Sequence, residues 1–236
     1  FDPIEAGINQ LTEAIDQGRE FDIKNSNRVF KIAINDIGQL VVIPRLLELM
    51  RQEAPNVCLE TVDTSSSDAK QKMLSGKIDL AVGSWEAMGP SFYQQRLFEE
   101  TFVVLMSANN PLKNKKLTLD DYMAADHIAY SPSGTTNFEL EQLLDRTGII
   151  RQRKVVLTAA HSLGLSTIVA SSNLLLTAPN RLAKAMVSNR KDLFIATAPF
   201  EVSPFQIKQQ WHERYHLDGG NRWLRNLLFN ICSEPV

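Results

Sequence analysis

Apolar and polar residues alternate along Arg28–Ile34, and a small polar turn, Asn35-Asp36-Ile37-Gly38, separates that run from the apolar stretch Leu40–Met50. Period-two patterning predicts a strand, and the longer stretch after it predicts a helix. The same order follows at once. Val57–Val62 predicts a second strand that runs into Asp63-Thr64-Ser65-Ser66-Ser67-Asp68, a helix around Ala69–Leu74 is stopped by Gly76, and Ile78–Gly83 predicts a short buried strand with Ser84 and Trp85 just beyond it. Polar residues gathered where strands give way to helices predict an open parallel sheet with its binding crevice at the strand ends. The hydroxyls and carboxylates of 63–68 suit a helix N-cap, and the free backbone N–H groups there suit an anion.

Further along, a turn at Glu86-Ala87-Met88-Gly89-Pro90 leads to strands over Phe92–Phe98 and Phe102–Met106. The second is wholly apolar and hence central, as for a strand covered on both faces. A loop at Asn109-Asn110-Pro111, a helix over Leu117–Met123 and a strand over His127–Tyr130 end in Ser131-Pro132-Ser133-Gly134-Thr135-Thr136-Asn137. That polar, glycine-bearing turn again meets a helix, Phe138–Asp145, which stops at Gly148. Next come a strand over Lys154–Leu157 and a helix over Ser162–Ala170, entered through Ala159-Ala160-His161. A buried strand, Leu174–Leu176, is closed by Thr177-Ala178-Pro179, and a helix over Arg181–Val187 and a strand over Leu193–Ile195 follow. Residues 100–199 therefore repeat the alternation of the first unit without its sequence, which makes two Rossmann-like α/β subdomains. A strand over Phe205–Trp211 and a helix capped by Asn221, with Leu224, Leu227, Leu228 and Ile231 on one face, return the chain to the first subdomain. The expected division is 26–99 with 200–236 against 100–199. Two crossings, near 99–101 and 199–204, predict a hinge beneath a central cleft.

Ahead of the first strand, Ile4, Ile8, Leu11 and Ile15 are spaced four, three and four apart, which is a coiled-coil seam of two heptads or the apolar stripe of a short surface helix. Gly18 ends that helix. Residues 1–25 then read as this helix and a polar linker into the first strand, so the helix can pack against a partner chain or carry a further module, and the chain begins at Phe, which leaves room for residues upstream. The 236 residues, 44% of them hydrophobic, suffice to bury a full core. No run of ~20 apolar residues is present, so a membrane span is not expected. With 25 basic against 27 acidic residues the net charge is −2, and this segment by itself is expected to bind DNA poorly. Cys58 and Cys232, both expected to be buried, are too few for a disulfide framework or a zinc site and point to a reduced, cytoplasmic setting.

Several of these stretches resemble a known family. Ile37–Met50, Ala54-Pro55-Asn56-Val57, Leu74–Gly83 and Asn109-Asn110-Pro111-Leu112 look like the effector-binding domain of LysR-type transcriptional regulators. The likeness covers residues 28–232. Trp211–His216 with Asn221-Arg222-Trp223-Leu224-Arg225 is similar to the branch that senses salicylate, nitroaromatic and related aromatic compounds. The resemblance implies the type 2 periplasmic-binding-protein fold and a homodimer or homotetramer. It also implies a small aromatic, anionic effector in the cleft, and contact with DNA only through a winged helix-turn-helix outside this chain. It implies no enzyme activity, no metal and no cofactor. A periplasmic solute-binding protein of an uptake system, which shares the fold, is the alternative.

By the crevice rule the effector contacts are Asp36, Ile37, Ser65, Ser66, Ser84 and Trp85 from the first subdomain, Ser133, Gly134, Thr135, His161 and Pro179 from the second, and Phe200 from the hinge. Each has a plainer role. Asp36 suits a helix cap, one of the three serines 65–67 must be a cap, and Trp85 suits a rim or packing position as well as a flat wall for an aromatic ring. His161 stands where the resemblance implies a ligand-contacting histidine, and its imidazole also suits a structural role. His212-Glu213-Arg214-Tyr215-His216 has the spacing of zinc metallopeptidases, which needs a helix to bring both rings to one ion. The preceding residues read as a strand, where positions four apart are separated by about 13 Å, and Gly219-Gly220 is expected to break a helix. Zinc catalysis is therefore rejected. No G-x-S-x-G nucleophile elbow or P-loop is present.

Overall fold

A computed structural model describes residues 21–130 and 153–233, together with residues 140, 142 and 145. The expected seam over 4–15 and the turn 131–137 lie outside the described residues, and of the helix expected over 138–145 only those three positions are seen, all helical. The chain divides into two compact units, one running to Phe98 and resuming at Ile207, the other spanning Glu99–Gln206.

Unit 1 begins with β1 (Val29–Ile34), α1 (Asp36–Val41), α2 (Ile43–Glu53), β2 (Cys58–Val62), α3 (Ser66–Leu74), β3 (Leu80–Gly83) and β4 (Phe92–Glu100). It ends with β10 (Phe205–His212) and α7 (Gly219–Ser233), and its sheet has the order β2-β1-β3-β10-β4. β1 pairs parallel with both β2 and β3, while β10 returns antiparallel to β3. The apolar stretch Leu40–Met50 is not one helix: the chain breaks at Val42, and Pro44, which fits only the first turn of a helix, restarts it as α2. Phe30, Ile32, Leu46, Met50, Met73, Ile78, Leu80, Leu224 and Leu228 form the core, each essentially inaccessible. Burying each such side chain stabilises by roughly 1.5–3 kcal/mol.

Three further expectations in this unit fail. Cys58 is exposed, because β2 is the outer strand of the sheet and only one of its sides is covered. Asn221 does not cap the last helix: Asp218 accepts from the Asn221 N–H at 2.6 Å, and the helix starts two residues earlier, at Gly219. Gly219 and Gly220, expected to break a helix, are its first turn. A Cβ on Gly219 would lie 2.9 Å from Phe21 Cβ, and one on Gly220 would lie 2.9–3.0 Å from Arg28 Nη1, Phe21 Cε2 and Phe30 Cζ. Space, rather than backbone conformation, selects glycine there. Asn221 is instead buried inside the helix, donating to the Asp79 carbonyl at 3.0 Å.

A half-buried cluster of one arginine and two carboxylates fastens the two segments of this unit. Arg28 donates to Asp79 at 2.9 Å and to Asp218 at 2.7 Å, and Asp79 also accepts from the Lys31 N–H. Burial opposes the Arg28 charge, yet the two carboxylates hold its pKa above the ordinary value. Burial pushes Asp79 up against the pull of Arg28 and the Lys31 amide.

Unit 2 holds β5 (Phe102–Ser107), α4 (Leu119–Ala124), β6 (Asp126–Tyr130), β7 (Lys154–Ala159), α5 (Leu165–Ala170), β8 (Leu175–Pro179), α6 (Asn180–Val187) and β9 (Leu193–Thr197). The sheet order is β7-β6-β8-β5-β9. β6 pairs parallel with β7 and β8, and β5 pairs antiparallel with β8 and β9. β5 is thus an interior strand, as its apolar run predicts. Val104, Leu105, Met106, Ile128, Leu165, Leu175, Leu176 and Leu182 are its buried core. The two units therefore share one topology: three parallel strands, then two more, in a Rossmann-like α/β arrangement of the type 2 periplasmic-binding-protein class.

Candidate functional site

In unit 1 the carboxyl ends of β2, β1 and β3 lie side by side, since Ala33 is level with Val62 and Ile34 with Val82. One sheet edge therefore brings together Asp36 and Ile37 after β1, Ser65 and Ser66 after β2, and Ser84 and Trp85 after β3. Their local roles differ from residue to residue. Asn35, not Asp36, caps α1, its side chain accepting from the Gly38 N–H at 2.9 Å. That leaves Asp36 half-buried at the first helical position and Ile37 buried beneath it. Ser65 caps α3, accepting from the Asp68 N–H at 3.3 Å, and shares a 3.1 Å hydrogen bond with Ser67. With the cap filled by Ser65, the hydroxyl of the half-buried Ser66 is not needed for it. Lys72 Nζ lies 3.5 Å from Thr64 Oγ1, which places a positive charge beside the serine run. Ser84 is buried. Trp85 is buried too, within the hydrophobic core of the unit, and its indole covers Gly83.

In unit 2 the ends of β7, β8 and β9 share an edge in the same way, since Val103 is level with both Ala178 and Thr197, and β6 has Tyr130 level with Ala159 and Ile128 with Leu176. His161 follows β7, Pro179 ends β8, and Phe200 follows β9; Ser133, Gly134 and Thr135 lie outside the described residues. The helix expected to start at Ser162 starts at Leu165, after a turn closed by the Leu165 N–H and the Ser162 carbonyl at 3.1 Å. His161 is therefore exposed and stands four residues ahead of the helix, not at its cap. Pro179 offers no side-chain cap to α6. Glu100 does so from another strand: its carboxylate accepts from the Thr101 N–H at 2.9 Å and the Arg181 N–H at 3.3 Å, while the Thr101 carbonyl accepts from the Asn180 N–H at 2.8 Å. Burial pushes the Glu100 carboxyl up, and these amides pull it back down. No sequence signal marks Glu100 beyond a carboxylate pair between two strands.

Phe200 stands edge-on to Tyr122, with ring centroids 5.3 Å apart, and the Tyr122 hydroxyl bonds Thr177 at 2.7 Å. Tyr122 also packs on His127, whose Nε2 meets the Tyr122 carbonyl at 2.7 Å. A carbonyl only accepts, so Nε2 carries the hydrogen and Nδ1 is a buried acceptor with no partner among the described residues. Desolvation lowers the His127 pKa, and the Arg153 charge lowers it further.

The metallopeptidase-like motif performs fastening. β10 extends through His212, and a short 3-10 turn holds Glu213–Tyr215. Arg214 donates to the Leu74 carbonyl at 2.7 Å and Tyr215 to the Gly76 carbonyl at 3.3 Å, which satisfies the end of α3. His216 Nδ1 accepts from the Trp211 indole at 3.3 Å, and its ring stacks on Tyr93 at 3.9 Å. Among the described residues no three His, Cys, Asp or Glu side chains cluster so as to hold a metal ion, and no helix is long and apolar enough to cross a membrane.

The strand ends of unit 1 carry hydroxyls and helix amides, groups that hydrogen-bond small polar molecules. The transcriptional activator NahR of Pseudomonas putida is 31% identical over 233 residues, covering 99% of this chain and 77% of that protein. NagR of Ralstonia, also a transcriptional activator, is 30% identical over 235 residues, covering 99% of this chain and 76% of that one. Among solved structures, the regulatory domain of MexT, a transcriptional activator in Pseudomonas aeruginosa, matches at a TM-score of 0.74 and 27% identity, covering 86% of this chain and 98% of that chain. A probable transcriptional regulator of the same organism shares the fold at a TM-score of 0.84 and 24% identity, covering 97% of this chain and 74% of that chain. These relatives are regulators, not enzymes, and lend no support to the solute-binding alternative. Residues 24–232 match the LysR substrate binding domain, and the chain belongs to that family of transcriptional regulators.

Proposed function

We propose that this domain senses a small aromatic carboxylate of the salicylate class, held at the strand-end edges just described. The observation that carries the reading is the convergence of Ser65, Ser66 and Ser84 with the α3 N-terminus and Lys72 on one edge of unit 1. Hydroxyl donors, helix amides and a cation together suit a carboxylate. His161, Pro179 and Phe200 stand at the corresponding strand ends of unit 2. An aromatic ring then meets Phe200, while the His161 imidazole bonds its carboxylate or hydroxyl.

Effector binding acts by favouring one arrangement of the two units, and only through its difference in affinity between arrangements. NahR and NagR are named as helix-turn-helix activators, so the response is passed to a DNA-binding module of that kind, in a cytoplasmic dimer or tetramer. Thermal unfolding in the presence of salicylate, benzoate and 2-nitrobenzoate tests the effector class. A saturable rise in Tm with at least one of them is expected, and no rise with any of them contradicts it. His161→Ala is expected to weaken salicylate binding about tenfold, the loss of one charge-assisted hydrogen bond. Sedimentation at micromolar concentration is expected to give a dimer or larger, and a monomer contradicts that part of the reading.

A further inference from the structure

β10 carries two consecutive glutamines at the centre of unit 1. Gln209 is fully buried and Gln210 is 1% exposed, in a strand where packing alone favours apolar residues. Their side chains serve opposite faces of the sheet. Gln209 Nε2 donates to Gln95 Oε1 at 2.7 Å and to the Arg225 carbonyl at 3.1 Å, tying β10 to β4 and α7. Gln210 lies opposite Ala81 of β3, and its Nε2 donates to the carbonyls of both Trp85 and Glu86, each at 3.1 Å.

Those two carbonyls lie beyond the last residue of β3, outside the sheet ladder. Both N–H hydrogens of one amide are spent on them. Turning the amide over would face its oxygen against two carbonyls, so its orientation is fixed, and Oε1 is left buried without a partner among the described residues. An apolar residue at 210 would avoid that orphan acceptor and its desolvation cost. What the glutamine supplies in return is control over the Ser84-Trp85-Glu86 segment.

We infer that Gln210 is a positioning residue of the effector site: it fixes the segment after β3, and through it the Ser84 hydroxyl. This rests on the proposed effector reading. Because β10 is also the strand by which the chain returns to unit 1 at Ile207, the same two hydrogen bonds link the returning strand to the site edge. Gln210 touches no effector itself.

The test is a double-mutant cycle of Gln210→Met with Ser84→Ala, read by calorimetric titration with salicylate. Methionine keeps the length and loses both donors. Gln210→Met is expected to weaken salicylate binding about tenfold and to speed amide hydrogen exchange over 84–88. In the Ser84→Ala background it is expected to add less than a threefold further loss, because the two act through one segment. A full tenfold loss in both backgrounds, or unchanged affinity and exchange in Gln210→Met, overturns the inference. If Ser84→Ala alone leaves affinity unchanged, the effector reading at Ser84 fails, and the inference falls with it. Unchanged exchange over 84–88 beside a Ser84→Ala loss sinks the Gln210 inference alone. Should Gln210→Met not fold, Gln210→Asn, one methylene too short to reach either carbonyl, is expected to give the same affinity and exchange changes; wild-type values overturn the inference.

Discussion

The two units share a topology and differ in how they satisfy their buried polar groups. In unit 1 the helices at the strand ends are capped by their own neighbours, Asn35 for α1 and Ser65 for α3. The half-buried Arg28 is matched by Asp79 and Asp218. In unit 2, α5 and α6 have no side-chain cap from an adjacent residue, and α6 borrows the Glu100 carboxylate. In the same unit His127 is buried near the charge of Arg153, with one nitrogen unpaired among the described residues. Both units bury an acceptor without a hydrogen-bond partner among the described residues, Gln210 Oε1 in unit 1 and His127 Nδ1 in unit 2, so the contrast lies in the source of the helix caps and in the groups that titrate.

The most severe way to break the contrast is Arg28→Met, which leaves two carboxylates facing each other in a partly buried place. A loss of about 3–5 kcal/mol is expected, measured by urea unfolding, with the exchange-protected core of unit 1 lost first. Gly220→Ala is next. Its Cβ must displace Phe21, Arg28 and Phe30, and overpacking of this kind costs roughly 1–3 kcal/mol. The caps compare directly: Glu100→Ala strands two amides in a buried setting and is expected to cost about 1–3 kcal/mol, whereas Ser65→Ala is expected to cost about 1 kcal/mol. Equal urea midpoints for the two variants would remove the distinction between a borrowed cap and a local one.

The smallest effect is the pH response of His127. Its pKa in the folded state lies below the ordinary value of 6.5, so the unfolded chain takes up a proton first as the solution is acidified. The stability it contributes is complete above about pH 6.5 and declines as pH falls toward the folded pKa, by at most about 1.4 kcal/mol per pH unit. Glu100 has the opposite sign in a lower window, since its raised pKa means a contribution present below 4.5 and lost as pH rises. Urea midpoints between pH 7.5 and 5.5 are expected to fall in the wild type and to fall less in His127→Gln. Identical slopes would show that His127 does not carry the response.

Much of this was legible in residue patterns. The parallel strands, the polar junctions after them and the interior position of β5 follow from period-two runs and from small polar residues at their ends. Where patterns misled, the deciding contacts were distant in sequence. Gly219-Gly220 reads as a helix breaker until Phe21 and Phe30 are seen against it. Asn221 reads as a cap until Asp218 takes the role and Asn221 turns inward to Asp79. Cys58 sits in an apolar-looking strand, but its place at the sheet edge, set by topology, leaves it exposed. At the candidate site the serines were visible from their run alone. Gln210 and Glu100 were not, because their meaning lies in which backbone groups they reach across 124–125 and 81 residues of chain.

The central claim is that the strand-end edges hold a small aromatic anion. Calorimetric titration of the protein with salicylate tests it most directly, with Ser66→Ala run alongside. Saturable binding at one site per chain, weakened by Ser66→Ala at unchanged Tm, is the expected result. Binding that ignores Ser66, or no heat and no Tm rise with salicylate, benzoate or 2-nitrobenzoate, contradicts it.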